Sequence, residues 1–89
     1  MELAEKDRVN LVLLAYKMAG YSKIVADGII GKVTVEAIQS RRRNIHPMSE
    51  DKVNLIVLAH KAAGNNDNLI ADGVAGEELW KAEQVFLAS

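Results

Sequence analysis

The chain predicts an all-α fold, two helix–loop–helix repeats packed as one small orthogonal bundle, and three observations carry that expectation. Apolar residues recur at three- and four-residue intervals over long segments, and no alternating run is long enough for a strand. The stretch from Asp7 to Gly20 lies over the stretch from Asp51 to Gly64 with most positions identical, a duplication visible within one sequence. Each copy then enters the same turn, Ala26-Asp27-Gly28-Ile29-Ile30-Gly31 and Ala71-Asp72-Gly73-Val74-Ala75-Gly76. At 89 residues the chain is expected to be a single domain, 1–89, built from repeats at 5–43 and 49–88.

The first helix places Val9, Val12, Leu13, Tyr16 and Ala19 on one face and Leu11, Leu14, Ala15 and Met18 on a second, leaving a narrow stripe with Asn10 and Lys17. A helix apolar nearly all round is buried on several sides. Gly20 and Gly64 sit where helix C-caps belong. In the Asp-Gly turn the glycine takes positive φ at no cost in sterics, and the aspartate bonds its own backbone. The two apolar residues that follow, Ile29-Ile30 and Val74-Ala75, are expected to plug inward, with Gly31 and Gly76 letting the chain turn closely into the next helix.

That next helix runs from Lys32 to about Arg43, with Thr34, Ala37, Ile38 and the stem of Arg41 inward. The connector Asn44-Ile45-His46-Pro47-Met48 holds the only proline, and Ser49 caps the third helix with Glu50 and Asp51 in its first turn. The third helix repeats the first: Val53, Ile56, Val57, His60 and Ala63 on one face, Leu55, Leu58 and Ala62 on another, against Asn54 and Lys61. The two long helices are expected to pack on each other about a pseudo-two-fold axis. Leu58 is placed in that packed core, so Leu58→Ala is expected to cost about 2–5 kcal/mol. The last helix runs from Glu77 to about Leu87, with Leu79, Ala82, Val85 and Phe86 inward and Trp80 and Leu87 on the neighbouring stripe. Its first-turn glutamates suit the positive end of the helix dipole.

Composition narrows the function. The chain is 49% hydrophobic and 26% charged, a globular balance, and its net charge of -1 argues against a dedicated nucleic-acid binder. Only 4% is aromatic, which thinly supplies base stacking or a sugar platform. There is no cysteine, hence no disulfide or thiolate metal site. The opening Met1-Glu2-Leu3-Ala4-Glu5-Lys6-Asp7-Arg8 is unlike a signal peptide, and the apolar run from Val9 to Ala15 is too short to span a bilayer. The expected location is the cytoplasm as encoded, or the cell wall if the protein is released or exported.

Asp27-Gly28-Ile29-Ile30-Gly31, followed by Thr34 and Ala37-Ile38, resembles the signature of peptidoglycan-binding domains, the helical modules attached to cell-wall hydrolases and phage endolysins. The preceding helix fits the same family through Val9, Val12, Tyr16, Gly20 and Tyr21. The chain departs from the pattern at Lys32, where the family has proline, at Leu13, often glutamine, at Arg41, where phenylalanine is expected, and at Leu79, where the second copy lacks the threonine. The resemblance can cover most of the chain. It implies a non-catalytic module that binds peptidoglycan in the groove between the Asp-Gly loops and the helices that follow them. Tyr21, Asp27, Thr34, Asp72 and Trp80 are the candidate ligand-binding residues.

Each has a plainer alternative. Asp27 and Asp72 can simply satisfy backbone amides. Trp80 has Val35 as its counterpart in the first copy, so it is an anchor for an interface or a sugar, or else a core residue. Arg41, Arg42 and Arg43 suit the negative end of their helix, the alternative being a patch for phosphate or wall polymer. His60 holds the core position of Tyr16 and is expected to be a satisfied, partly buried histidine. Asn65-Asn66-Asp67-Asn68 does not match a calcium loop in any register, and no histidine–glutamate spacing makes a zinc site. Glu2, Glu5, Glu50, Asp51, Glu77, Glu78 and Glu83 are assigned to solvent faces and helix starts, beside no nucleophile. No catalytic residue, metal or cofactor is therefore expected. The rival to wall binding is a protein–protein interaction module, a small phage or bacterial regulator on the same scaffold. Leu11, Leu14 and Met18 are poorly covered by the polar second helix, so they are expected at the contact of a homodimer or an obligate partner.

Overall fold

Residues 4–43 and 48–88 are described by the structure, a computed structural model, and they form four helices and no strand. These are α1 (Glu5–Met18), α2 (Lys32–Arg43), α3 (Glu50–Ala62) and α4 (Glu77–Leu87). The all-α bundle read from apolar spacing is the fold observed. The connector at 44–47, with its proline and His46, lies outside the described residues.

The long helices α1 and α3 pack chiefly on each other, and α4 packs on α3 and α2. The α1–α3 seam is made by Val9, Val12, Leu13 and Tyr16 against Val53, Ile56, Val57 and His60, all buried. Ile38 of α2 and Leu79, Ala82 and Phe86 of α4 close the core from the other side. The Cα radius of gyration, 11.6 Å, is close to the ~12 Å expected of one compact body of this length. The two repeats therefore share a single core.

Helix ends follow their local chemistry. The Ser49 hydroxyl accepts the Lys52 N–H (3.4 Å) and caps α3, as its place before two acidic residues predicts. At the end of α1 the Gly20 N–H reaches the Lys17 carbonyl (3.1 Å) and the Tyr21 N–H reaches the Tyr16 carbonyl (3.1 Å), the paired bonds of a Schellman cap. Gly64 and Asn65 make the same pair of bonds to Lys61 and His60 at the end of α3.

Four expectations are corrected. Leu58 is 53% exposed, because the core-facing side of α3 is already filled and, among the described residues, no further helix lies over its outer side. Ile29 and Val74 point outward, and only Ile30 is half-buried. The residues that plug the core from the loops are Ile24 and Leu69, three positions before each aspartate. Gly31 and Gly76 are not needed for close approach, since a Cβ at either would meet nothing within 4 Å. On α4, Glu83 is buried and Val85 is half exposed, the reverse of what hydrophobicity alone assigns.

The corrected placement of Leu58 changes the expected mutational outcome. Leu13→Ala, at a site with no exposure, should lower stability by about 2–5 kcal/mol. Leu58→Ala should change it by only about 0.5 kcal/mol in urea denaturation.

Candidate functional site

The two Asp-Gly turns are built by the same bonds. Asp27 Oδ1 accepts the Ile29 N–H, and Asp72 Oδ1 accepts the Val74 N–H, both at 3.1 Å. Gly28 and Gly73 each have φ of 79°, a region that favours glycine. Their N–H groups are taken by side chains of the long helices: Asn10 Oδ1 at 2.6 Å for Gly28, and Asn54 Oδ1 at 2.7 Å for Gly73. Each asparagine ties its own turn to the helix that precedes it. The two asparagines were assigned to a polar stripe, although an asparagine repeated at one place in two otherwise apolar helices signals a fixed partner. Both aspartates are exposed, and their visible bonds are to their own loops, as the plainer reading has it.

A buried polar chain joins the repeats at their centre. Arg41 donates to the Glu83 carboxylate through Nε and Nη2, each at 2.5 Å, and both side chains are buried. The Tyr16 hydroxyl donates to Glu83 Oε2 at 2.5 Å. Its oxygen must then accept from His60 Nε2 (3.0 Å), which leaves His60 Nδ1 to accept from Asn65 Nδ2 (2.8 Å). The chain of donors thus assigns a neutral His60 with its proton on Nε2. Burial pushes the His60 pKa down to about 4, with the Arg41 charge adding to the effect. Burial, reinforced by Glu83, also pushes the Tyr16 phenol up and keeps its proton in place. For Arg41 burial opposes the charge, but the bonds to Glu83 outweigh it and the pKa is raised.

This chain accounts for where the two copies differ. His60 stands opposite its own repeat counterpart, Tyr16, and the two bond to each other. Arg41 occupies the position of Phe86, and Glu83 that of Ile38, so two departures from the repeat neutralise one another. Glu83 does not lie on a solvent face, and the stem-inward reading of Arg41 extends to its charged head. Arg41, Glu83, Tyr16 and His60 are buried and bonded to one another in sequence, with half-buried Asn65 closing the end, which suits a structural role.

Arg42 lies with its guanidinium carbon 4.5 Å from the centre of the Trp80 ring and its Nε 3.8 Å from Glu83 Oε1. One face of Trp80 is therefore covered by a cation, and the residue is neither core nor a bare sugar platform. Arg41–Arg43 do not form one cationic patch: Arg41 is paired inside, Arg42 is stacked, and Arg43 is exposed.

The five candidate ligand residues do not converge. Tyr21, half-buried with its ring centre 6.2 Å from that of Tyr16, lines a groove of about 270 Å³ between the end of α1 and α2. Gly20, Ser22, Lys23, Val33, Glu36, Ala37 and Ser40 complete that groove. Asp27 lines a second groove with Glu5, Lys6 and Ile29, and Asp72 a third with Asn68, Ile70, Glu77 and Glu78. Thr34 is buried in the core. Leu11 is half-buried, whereas Leu14 and Met18 are exposed on the same outward row of α1. The loop at 65–68 is held by its own bonds, with Asn66 donating to the Glu78 carbonyl (3.0 Å) and carboxylate (2.8 Å).

No protein-family model, curated protein or solved structure matches this chain. Missed in the sequence were Lys23, Val33, Glu36 and Ser40, which surround Tyr21. Their signal was available as the i, i+3, i+7 row Val33, Glu36, Ser40 on α2, next to Ala37 on the face turned toward the α1 terminus.

Proposed function

We propose that the chain is a non-catalytic binding module for bacterial peptidoglycan, and that the ligand lies in the groove of Tyr21. The observation that supports this reading is the groove's mixed lining: one aromatic ring, two hydroxyls, and a lysine and a glutamate, all on one concave strip beside α2. A glycan-peptide presents sugar rings, hydroxyls, carboxylates and amines, and each has a counterpart there. The resemblance of the Asp-Gly turns and of Gly20-Tyr21 to wall-binding modules points the same way. Asp27 and Asp72 are given a shaping role, holding the loops that carry Ile24 and Leu69 into the core.

The purified protein is expected to co-sediment with bacterial sacculi. Lys23→Glu and Val33→Trp, both at exposed positions, should reduce the pelleted fraction at least several-fold without changing the thermal midpoint. Pelleting no greater than that of a control protein, or unaffected by both variants, contradicts the proposal.

A second reading, a protein-interaction module, is favoured by one observation. Leu14 and Met18 form an exposed apolar row on α1 with half-buried Leu11, and Leu58 is exposed at the matching place on α3. Apolar rows of this kind mark partner surfaces. Loss of a native partner on Leu14→Ser or Met18→Ser, with sacculus binding absent, would favour it.

A further inference from the structure

An Asp-Gly step is where a protein backbone most readily cyclises on itself. The glycine nitrogen can bond to the aspartate Cγ, because no glycine side chain blocks the approach. The Cγ–O bond breaks, and the hydroxyl of the protonated carboxyl leaves as water with the amide proton, which closes a succinimide ring. Water then opens the ring at either carbonyl, returning aspartate or leaving isoaspartate, whose main chain runs through Cβ and Cγ. The sequence has two such steps, Asp27-Gly28 and Asp72-Gly73, and both aspartates are exposed. Neither glycine is readily exchanged, since φ is 79° at both, a region strained for other residues. The fold therefore carries the same chemical liability twice.

We infer that Asn10 and Asn54 guard these two steps, so that Asp27 and Asp72 are latent isoaspartate sites, stable in the folded chain and labile once a turn opens. Ring closure needs the glycine nitrogen to give up its proton and swing toward Cγ. In the fold that N–H is already donated, to Asn10 Oδ1 at 2.6 Å from Gly28 and to Asn54 Oδ1 at 2.7 Å from Gly73. The carboxylate is engaged as well, since Asp27 Oδ1 accepts from Ile29 and Asp72 Oδ1 from Val74, both at 3.1 Å. Closing either ring breaks both bonds of its turn, so the reaction waits on local opening. The asparagines are half-buried on α1 and α3, the helices of the shared core, which hold their oxygens in place independently of the loops. Isoaspartate would lengthen the main chain three residues after Ile24 or Leu69, the side chains these loops send into the core, and would loosen that packing. The protection is independent of wall binding, which uses the Tyr21 groove.

Peptide mapping of the intact chain tests it, after ageing for weeks at neutral pH and body temperature, with isoaspartyl and aspartyl peptides separated before mass spectrometry. In Asn10→Ala, isoaspartate should accumulate at Asp27 about tenfold faster than in the parent, the factor expected from one lost hydrogen bond, with Asp72 unchanged. Asn54→Ala should give the reverse. Each repeat is the control for the other, because a general loss of stability would raise both steps together. Circular dichroism shows whether each variant folds; where one does not, the parent decides. In the parent both steps should isomerise at least ~tenfold faster in urea than in buffer, and the Gly28 and Gly73 amides should exchange slowly with deuterium in buffer. Equal rates in urea and buffer, or fast exchange at both glycines, overturn the inference. Folded variants in which neither step is accelerated, or both are accelerated alike, overturn it as well.

Discussion

Replacing Glu83 by glutamine should destabilise the fold by about 3–5 kcal/mol, because the Arg41 charge would stay buried without its counter-ion. That is a large share of the 5–15 kcal/mol that holds a typical domain together. The variant is expected to be partly or wholly unfolded at ambient temperature, as read by circular dichroism and urea titration. The double replacement Arg41→Met with Glu83→Leu should recover much of the loss, since it removes both charges and leaves a site of similar volume apolar. A Glu83→Gln protein as stable as the parent would mean that Arg41 reaches water and that α2 and α4 are packed differently.

Acidification should weaken the fold through His60. The sign follows from the direction of its shift. Its folded pKa, about 4, lies below the ordinary 6.5, so the unfolded chain binds the proton more readily. The contribution is complete above about pH 6.5 and is lost as pH falls from there toward 4. A shift of this size corresponds to about 3 kcal/mol at the acid end. Urea denaturation at pH 7.5 and at pH 4 should differ by about that amount in the parent chain. In His60→Gln, which keeps a donor for Tyr16 and cannot take up a proton, the difference should shrink to what the carboxylates contribute. An equal acid loss in parent and variant would remove His60 as its source. Glu78, whose pKa is lowered by the bond from Asn66, acts in the same direction at lower pH.

The helices and turns were legible because their rules are local. The repeat fixed the four helices to within a residue or two, Ser49 marked a start, and the Asp-Gly steps marked positive-φ turns. What escaped depends on partners distant in sequence. Leu79, Ala82, Glu83 and Phe86 share one helical face by spacing alone, yet the carboxylate was assigned to solvent because a buried charge makes sense only once Arg41 is seen against it. The apolar pattern could not say which of two faces on α1 and α3 would be covered, and with four helices one face stays partly bare. Ile24 and Leu69 were passed over because loop residues have no period, although their recurrence at the same offset was available.

Of the candidate site, Tyr21 lines a groove, Thr34 is enclosed, Trp80 is covered on one face by Arg42, and Asp27 and Asp72 serve their own turns. Motif spacing recovers such turns, since glycine and aspartate report backbone shape. It does not recover a groove assembled from α2 and the end of α1, whose residues are separated by a loop.

The most direct measurement of the proposed function is an amide chemical-shift titration of the isotopically labelled chain with soluble disaccharide-peptides released from sacculi. Wall binding in the Tyr21 groove predicts saturable shifts at Tyr21, Ser22, Lys23, Glu36 and Ser40, with the amides of Leu14, Met18 and Leu58 unmoved. A spectrum unchanged at millimolar ligand, or shifts confined to the outer rows of α1 and α3, would contradict it.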